Sequence, residues 1–127
     1  MAQTLSEAFK NSLIAAIDRT RNQITWKPGK AEPHLAKRIR LKHLPATSSL
    51  SDYESRIIHI LNRLDASVYI YEFNEIIYPT VVAQVDSDIW LVMITMNGVL
   101  ETAFPPDNPE EYLSNPNFSY VGQLGEL

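Results

Sequence analysis

His34, Lys37 and Arg38 lie within five consecutive residues, His-Leu-Ala-Lys-Arg. In a helix, side chains three and four apart share a face, so the imidazole would stand beside an ammonium and a guanidinium while Leu35 and Ile39 turn inward. Such a trio suits phosphoryl chemistry. Imidazole exchanges a proton near neutral pH, and fixed cations offset charge that develops on phosphate oxygens. Spacing alone describes a solvated helix face equally well, and both readings stay open at this stage. His43 follows Lys42 and either lines the same anion site or caps a turn. His59 falls inside an apolar-periodic segment and reads as a surface or boundary residue.

The charge around these residues is unevenly distributed. The chain has 127 residues and a formal net charge of −4, yet all 11 Lys and Arg lie in residues 1–63 and none in 64–127. The stretch 27–43 carries Lys27, Lys30, Lys37, Arg38, Arg40 and Lys42 against Glu32 alone. A phosphate backbone responds to the field within about one Debye length, roughly 8–10 Å, so the acidic total does not exclude an anionic partner. The absence of cysteine excludes a disulfide framework, a thiolate metal site and a cysteine nucleophile. No His-x-x-x-His pair, Gly-rich phosphate loop, Gly-x-Ser-x-Gly elbow or dinucleotide fingerprint is present, so neither metal nor cofactor is expected. The apolar runs are too short to span a bilayer and Met1–Phe9 lacks the pattern of a signal peptide, which together predict a cytoplasmic protein without a membrane partner.

The elements that must position the basic trio follow from periodicity. Thr4-Leu5-Ser6-Glu7 has the pattern of a capping box, and Leu5, Phe9, Leu13 and Ile17 then recur every fourth residue, predicting a helix over 5–22. Pro28-Gly29 closes a linker, and Pro33 suits the first turn of a short helix that ends before Pro45. Ser51-Asp52-Tyr53-Glu54 reads as a second capping box for a helix ending near Leu64. From Ser67 the period changes to two: strands are expected near 68–73, 80–85, 89–95, 99–104 and 118–121. Asp86-Ser87-Asp88 and Asn97-Gly98 mark turns, the second a two-residue hairpin, and Pro105-Pro106 ends pairing. Residues 107–117 form an excursion with one helical turn at 109–113. Helices followed by an antiparallel meander of four to five strands give a single α+β domain over 1–127. Trp90 and Phe104 are assigned to its core.

The stretch Trp90 to Pro106, with Asn97-Gly98 at its turn and Gly-Val-Leu-Glu-Thr-Ala-Phe after it, resembles the closing hairpin of the barnase, EndoU, colicin and RelE-like superfamily of small toxin ribonucleases. The resemblance covers about residues 33–122 and leaves residues 1–26 as an additional N-terminal helix. It implies a RelE/barnase-like arrangement in which His34, Lys37 and Arg38 supply the helical part of the site and Thr102 the strand part. The implied reaction is metal-independent RNA cleavage: the 2′-hydroxyl attacks the adjacent phosphorus and leaves a 2′,3′-cyclic phosphate. His34 would transfer a proton, Arg38 and Lys37 would hold the phosphorane, and Thr102 would hydrogen-bond an oxygen or orient the imidazole. Lys42, His43 and Tyr120 would contact substrate, Tyr120 by stacking a base or offering its hydroxyl.

This reading requires His34, Arg38 and Thr102 on one concave surface within about 10 Å, which leaves room for one phosphate. The implied partners are RNA and a cognate antitoxin or inhibitor protein. The alternative is a non-enzymatic partner-binding protein, either an inactive relative or an acidic inhibitor, motivated by the carboxylates of residues 64–127. The N-terminal helix either packs on its own sheet or is exchanged in a homodimer.

Overall fold

The computed structural model describes residues 5–127. The first helix, α1 (Glu7–Asn22), is capped by the Ser6 hydroxyl, which accepts from the Phe9 amide at 3.1 Å. Ser6 therefore takes the role expected of Thr4, which lies outside the described residues. The fourfold stripe is buried as its spacing predicts: Leu13 and Ile17 enter the core while Leu5 and Phe9 pack at its margin. In this chain α1 lies on its own sheet.

Helix α2 (Ala31–Arg40) carries Pro33 in its first turn, where a missing amide N–H has no helical acceptor to lose. Its end positions the site. Lys42 adopts a left-handed conformation (φ 63°), and the chain doubles back so that the His43 amide donates to the Arg38 carbonyl at 2.8 Å and the Lys42 amide to Ile39 at 2.9 Å. This pair of bonds is a Schellman motif built without glycine, and it returns His43 toward the last buried residue of the helix.

Helix α3 (Leu50–Leu61) begins two residues before the expected box: Ser49 and Asp52 cap each other's backbone amides. Glu54 is released from capping and accepts from the Trp26 indole at 2.7 Å. The helix stops before Leu64, which is 71% exposed rather than part of the apolar stripe.

Five strands form one antiparallel sheet: β1 (Ser67–Phe73), β2 (Ile76–Val85), β3 (Asp88–Ile94), β4 (Leu100–Phe104) and β5 (Phe118–Gln123), in the order β4-β3-β2-β1-β5. The α+β expectation is met, with one difference in connection. The last strand crosses back to pair with β1, and the short helix α4 (Pro109–Leu113) lies on the way. Strand β2 starts earlier than expected because Asn74-Glu75, both at positive φ, close a tight turn with neither glycine nor proline.

Side-chain alternation gives the sheet two faces. Val68, Val81, Val92 and Ala103 face the helices and join Leu13, Ile57 and Ile60 in the main core. Val82, Leu91 and Met93 face the other way, under Tyr69, Tyr71, Tyr78, Phe104 and Phe118. That second face carries only α4 and is otherwise open. Phe104, expected in the core, is half-buried there because it pairs with Leu91; Trp90 is fully buried among the helices as expected.

The β3–β4 connection is a three-residue loop rather than the expected two-residue hairpin. Thr95 and Val99 still pair, the Gly98 amide donates to the Thr95 carbonyl at 2.9 Å, and Gly98 sits at φ 79°. A Cβ on Gly98 would lie 3.0 Å from the Arg19 side chain, which itself donates to the Asn97 carbonyl. Gly98→Ala therefore combines left-handed strain with displacement of this latch. It is expected to lower stability by about 1–2 kcal/mol, read as a reduced urea midpoint at unchanged m-value.

Candidate active site at the edge of the sheet

Strand β4 is an edge strand, and the chain covers that edge from two directions. Residues 24–26 cross it, with the Leu100 amide donating to the Thr25 carbonyl at 2.7 Å and Trp26 bridging Leu100. Helix α2 then lies beside it. The consequence is most visible at Arg38, which is 4% exposed. Its guanidinium carbon stands 5.4 Å from the centre of the Phe104 ring, and Nε and Nη1 are buried with no hydrogen-bond partner among the described residues. A cation–π contact offsets part of the cost of burying a guanidinium, but two nitrogens held out of water without acceptors cost more than it returns.

Beside Arg38 is a cavity of about 270 Å³ lined by Lys37, Arg38, His43, Phe104, Pro106 and Asp107, among others. It joins Lys37, Arg38 and His43, three of the residues expected from sequence. Burial pulls the His43 imidazole below its ordinary pKa of 6.5, and Arg38 pulls it further; Asp107 and Asp88 oppose the shift. The net effect favours the neutral imidazole. Its ring meets the edge of Trp90 at 6.5 Å between centroids, and its Nδ1 is buried without a partner among the described residues. Lys42 is exposed in the turn behind it and lines a second depression with His43 and Arg40.

The remaining expected residues are divided between the two sides of β4. Thr102 pairs with Met93, so its side chain faces the open surface, the same side as Phe104. Two residues apart on a strand, Thr102 and Phe104 are separated by about 7 Å, which places the hydroxyl one step along the strand from Arg38's contact. His34 does not join them. Its ring packs 5.6 Å from Trp26, which belongs to the helix-side core, and its nearest charges include Glu101, itself ion-paired with Lys27. Burial lowers the His34 pKa, with Arg38, Lys30 and Lys37 adding to the effect and Glu101 opposing it. The requirement that His34 and Thr102 face one surface is therefore not met. Tyr120 lies on the open face at the opposite edge, its ring 5.3 Å from Tyr69.

Three contributors are not assigned to this site by the sequence. The apolar run around Phe104 predicts a core position; its pairing partner, Leu91, decides its face. Asp107 reaches the site because Pro105-Pro106 end the strand just before it. Tyr53 anchors β4 to α3 by donating its buried hydroxyl to the Ala103 carbonyl, and burial raises its pKa to about 12, so it acts as a donor and not as a proton-transfer group. Among the described residues no three His, Asp or Glu side chains converge as metal ligands, and no helix is long and apolar enough to cross a membrane. Comparison with protein-family models, with curated proteins and with solved structures finds no match to this chain.

Proposed function

We propose that this chain is a metal-independent ribonuclease of the RelE/barnase-like type, with its scissile phosphate held in the α2–β4 cavity. The observation that carries the reading is the buried guanidinium of Arg38, unpartnered among the described residues, opening on a cavity that also holds Lys37 and a neutral histidine. The histidine in the proposal is His43, since it lines the cavity with Lys37 and Arg38 and His34 does not.

In this scheme Arg38 and Lys37 bind nonbridging oxygens of the phosphate, and His43 removes the proton of the 2′-hydroxyl. The O2′–P bond forms as the P–O5′ bond breaks, giving a 2′,3′-cyclic phosphate and a 5′-hydroxyl whose proton comes from water at the mouth of the cavity. The cations stabilise the phosphorane between these states, where the charge on the oxygens is greatest. Thr102 offers a hydroxyl to the same phosphate from the open face.

Because a neutral imidazole is required and its pKa is lowered, the rate should rise with pH along a limb whose midpoint is below 6.5 and be level at neutrality. The pH–rate profile in EDTA tests the assignment. His43→Ala should lose the limb together with most of the rate, while His34→Ala keeps both. A limb that survives in His43→Ala and vanishes in His34→Ala would return the role to His34.

A second reading, a partner-binding protein without catalysis, is favoured by the separation of His34 from Thr102 across β4. It predicts RNA or protein binding with no cleavage at any pH. A cognate inhibitor protein and a cytoplasmic setting belong to the proposal and not to the fold.

A further inference from the structure

The second face of the sheet lacks the composition of a solvated one. An antiparallel sheet with one side in water ordinarily alternates apolar residues inward with polar residues outward. Here the outward positions of β1, β2, β3 and β5 carry no charged side chain, and the rings of Tyr69, Tyr71, Tyr78 and Phe118 occupy much of the surface. The cover over these rings is incomplete. Helix α4 reaches Phe104 and Phe118 through Tyr112, while Phe73 and Ile76, at the end of the β1–β2 hairpin, are 49% and 50% exposed. These two residues stand directly opposite each other, and Phe73 stacks on Tyr71 with 6.2 Å between centroids, which places the pair on the open face.

The charges beside this patch are of one sign. Glu75 occupies the turn between Phe73 and Ile76, and α4 carries Glu110 and Glu111, all three exposed. Tyr71 and Glu111 line one depression, so the α4 carboxylates and the hairpin end belong to a continuous surface. None of the three carboxylates is in an ion pair among the described residues, and residues 64–127 contain no lysine or arginine to offset them.

We propose that this face is an interaction surface for a cationic amphipathic helix of another protein, which lays apolar side chains on Phe73 and Ile76 and sets lysine or arginine against Glu75, Glu110 and Glu111. The charge selects the occupant. Nucleic acid and anionic lipid are repelled by the carboxylates, and a second copy in a two-fold contact would bring the same carboxylates together. A helix suits the face because an apolar sheet surface is ordinarily buried by a helical layer, as α1, α2 and α3 bury the opposite side. An apolar stripe flanked by basic residues is a recurring form of such a ligand. Neither Phe73 nor Ile76 lines the Arg38 cavity, so the surface is separate from the proposed cleavage site and stands whether or not RNA is cut.

The test uses the full chain and a labelled synthetic leucine–lysine amphipathic helix of about five turns. Its controls are a leucine–glutamate helix of the same pattern and the lysine peptide scrambled to lose its apolar stripe. Phe73→Thr with Ile76→Thr replaces the exposed pair by residues that suit a strand, and Glu110→Gln with Glu111→Gln removes two charges from α4. Both variants should melt within a few degrees of wild type. By fluorescence anisotropy the lysine helix is expected to bind the chain and both controls to bind much more weakly. The threonine pair should weaken the lysine helix at least about tenfold, and the glutamine pair should weaken it and flatten its salt dependence. No binding of the lysine helix, or binding unchanged by the threonine pair, overturns the surface. Equal binding of the scrambled peptide reduces the contact to charge alone and overturns it as well. Sedimentation of the unliganded chain as a dimer that the threonine pair makes monomeric would assign the face to a second copy, against the proposal.

Discussion

Replacing Arg38 with glutamine is expected to lower RNA cleavage by about 10²- to 10³-fold, the loss seen when one preorganised donor to a developing oxyanion is removed. The guanidinium is positioned before substrate arrives, by the α2 backbone and by the Phe104 ring. Arg38→Lys keeps the charge but loses the planar fork and should recover only part of the rate. Stability should move in the opposite sense from an ordinary core mutation. A buried charge with two unsatisfied donors is a cost to the fold, so Arg38→Gln is expected to unfold no earlier than wild type while its cleavage collapses. That divergence distinguishes a binding group from a structural one, and thermal unfolding beside the cleavage rate measures it.

Trp90→Ala is expected to have the largest effect on the fold, about 3–5 kcal/mol, equivalent to a fall in thermal midpoint on the order of 10–20 °C. The indole is fully buried and is the contact point of several elements: Tyr53 of α3 and His43 after α2 meet its ring at 6.5 Å, and the Arg56 guanidinium lies 5.2 Å over it. Its removal opens a cavity under the seat of His43. Cleavage by the folded fraction should therefore fall as well, because the imidazole loses the surface that fixes its ring. Trp90→Phe should keep more than half of the lost stability, as read by the same melting experiment.

The elements that carry Arg38 and Trp90 differ in how far the sequence announces them. The helices were legible because Leu13 and Ile17, or Ile57 and Leu61, repeat at the helical period and are buried for that reason. The strand run Ile89 to Ile94 and the turn at Asn97-Gly98 were legible from β-branched residues and a turn-forming pair. The Asn74-Glu75 turn was not, since both residues adopt positive φ without the glycine that usually signals it. The crossing of β5 to the β1 edge was not legible either, because alternation specifies faces and says nothing of neighbours.

The candidate site shows the same division. Arg38 was found because the spacing of α2 puts it beside Lys37, and that local geometry survives in the fold. For His43 the sequence leaves both the anion site and a turn cap open; the Schellman reversal at Lys42, which uses a lysine where a glycine would have marked it, returns His43 to Arg38. His34 was favoured by its i, i+4 spacing from Arg38, and Trp26, distant from both in the helix pattern, then claims the imidazole ring. Thr102 lies where alternation puts it, but which face is outward depends on the register shift between Met93 and Ile94.

The most direct test of the central claim is to incubate the purified chain with end-labelled single-stranded RNA in EDTA, beside Arg38→Gln, and to determine the chemistry of any new ends. The account predicts 2′,3′-cyclic phosphates and 5′-hydroxyls from the wild-type chain, reduced about 10²- to 10³-fold in the variant. Intact RNA with both proteins, or equal cleavage by both, would contradict it.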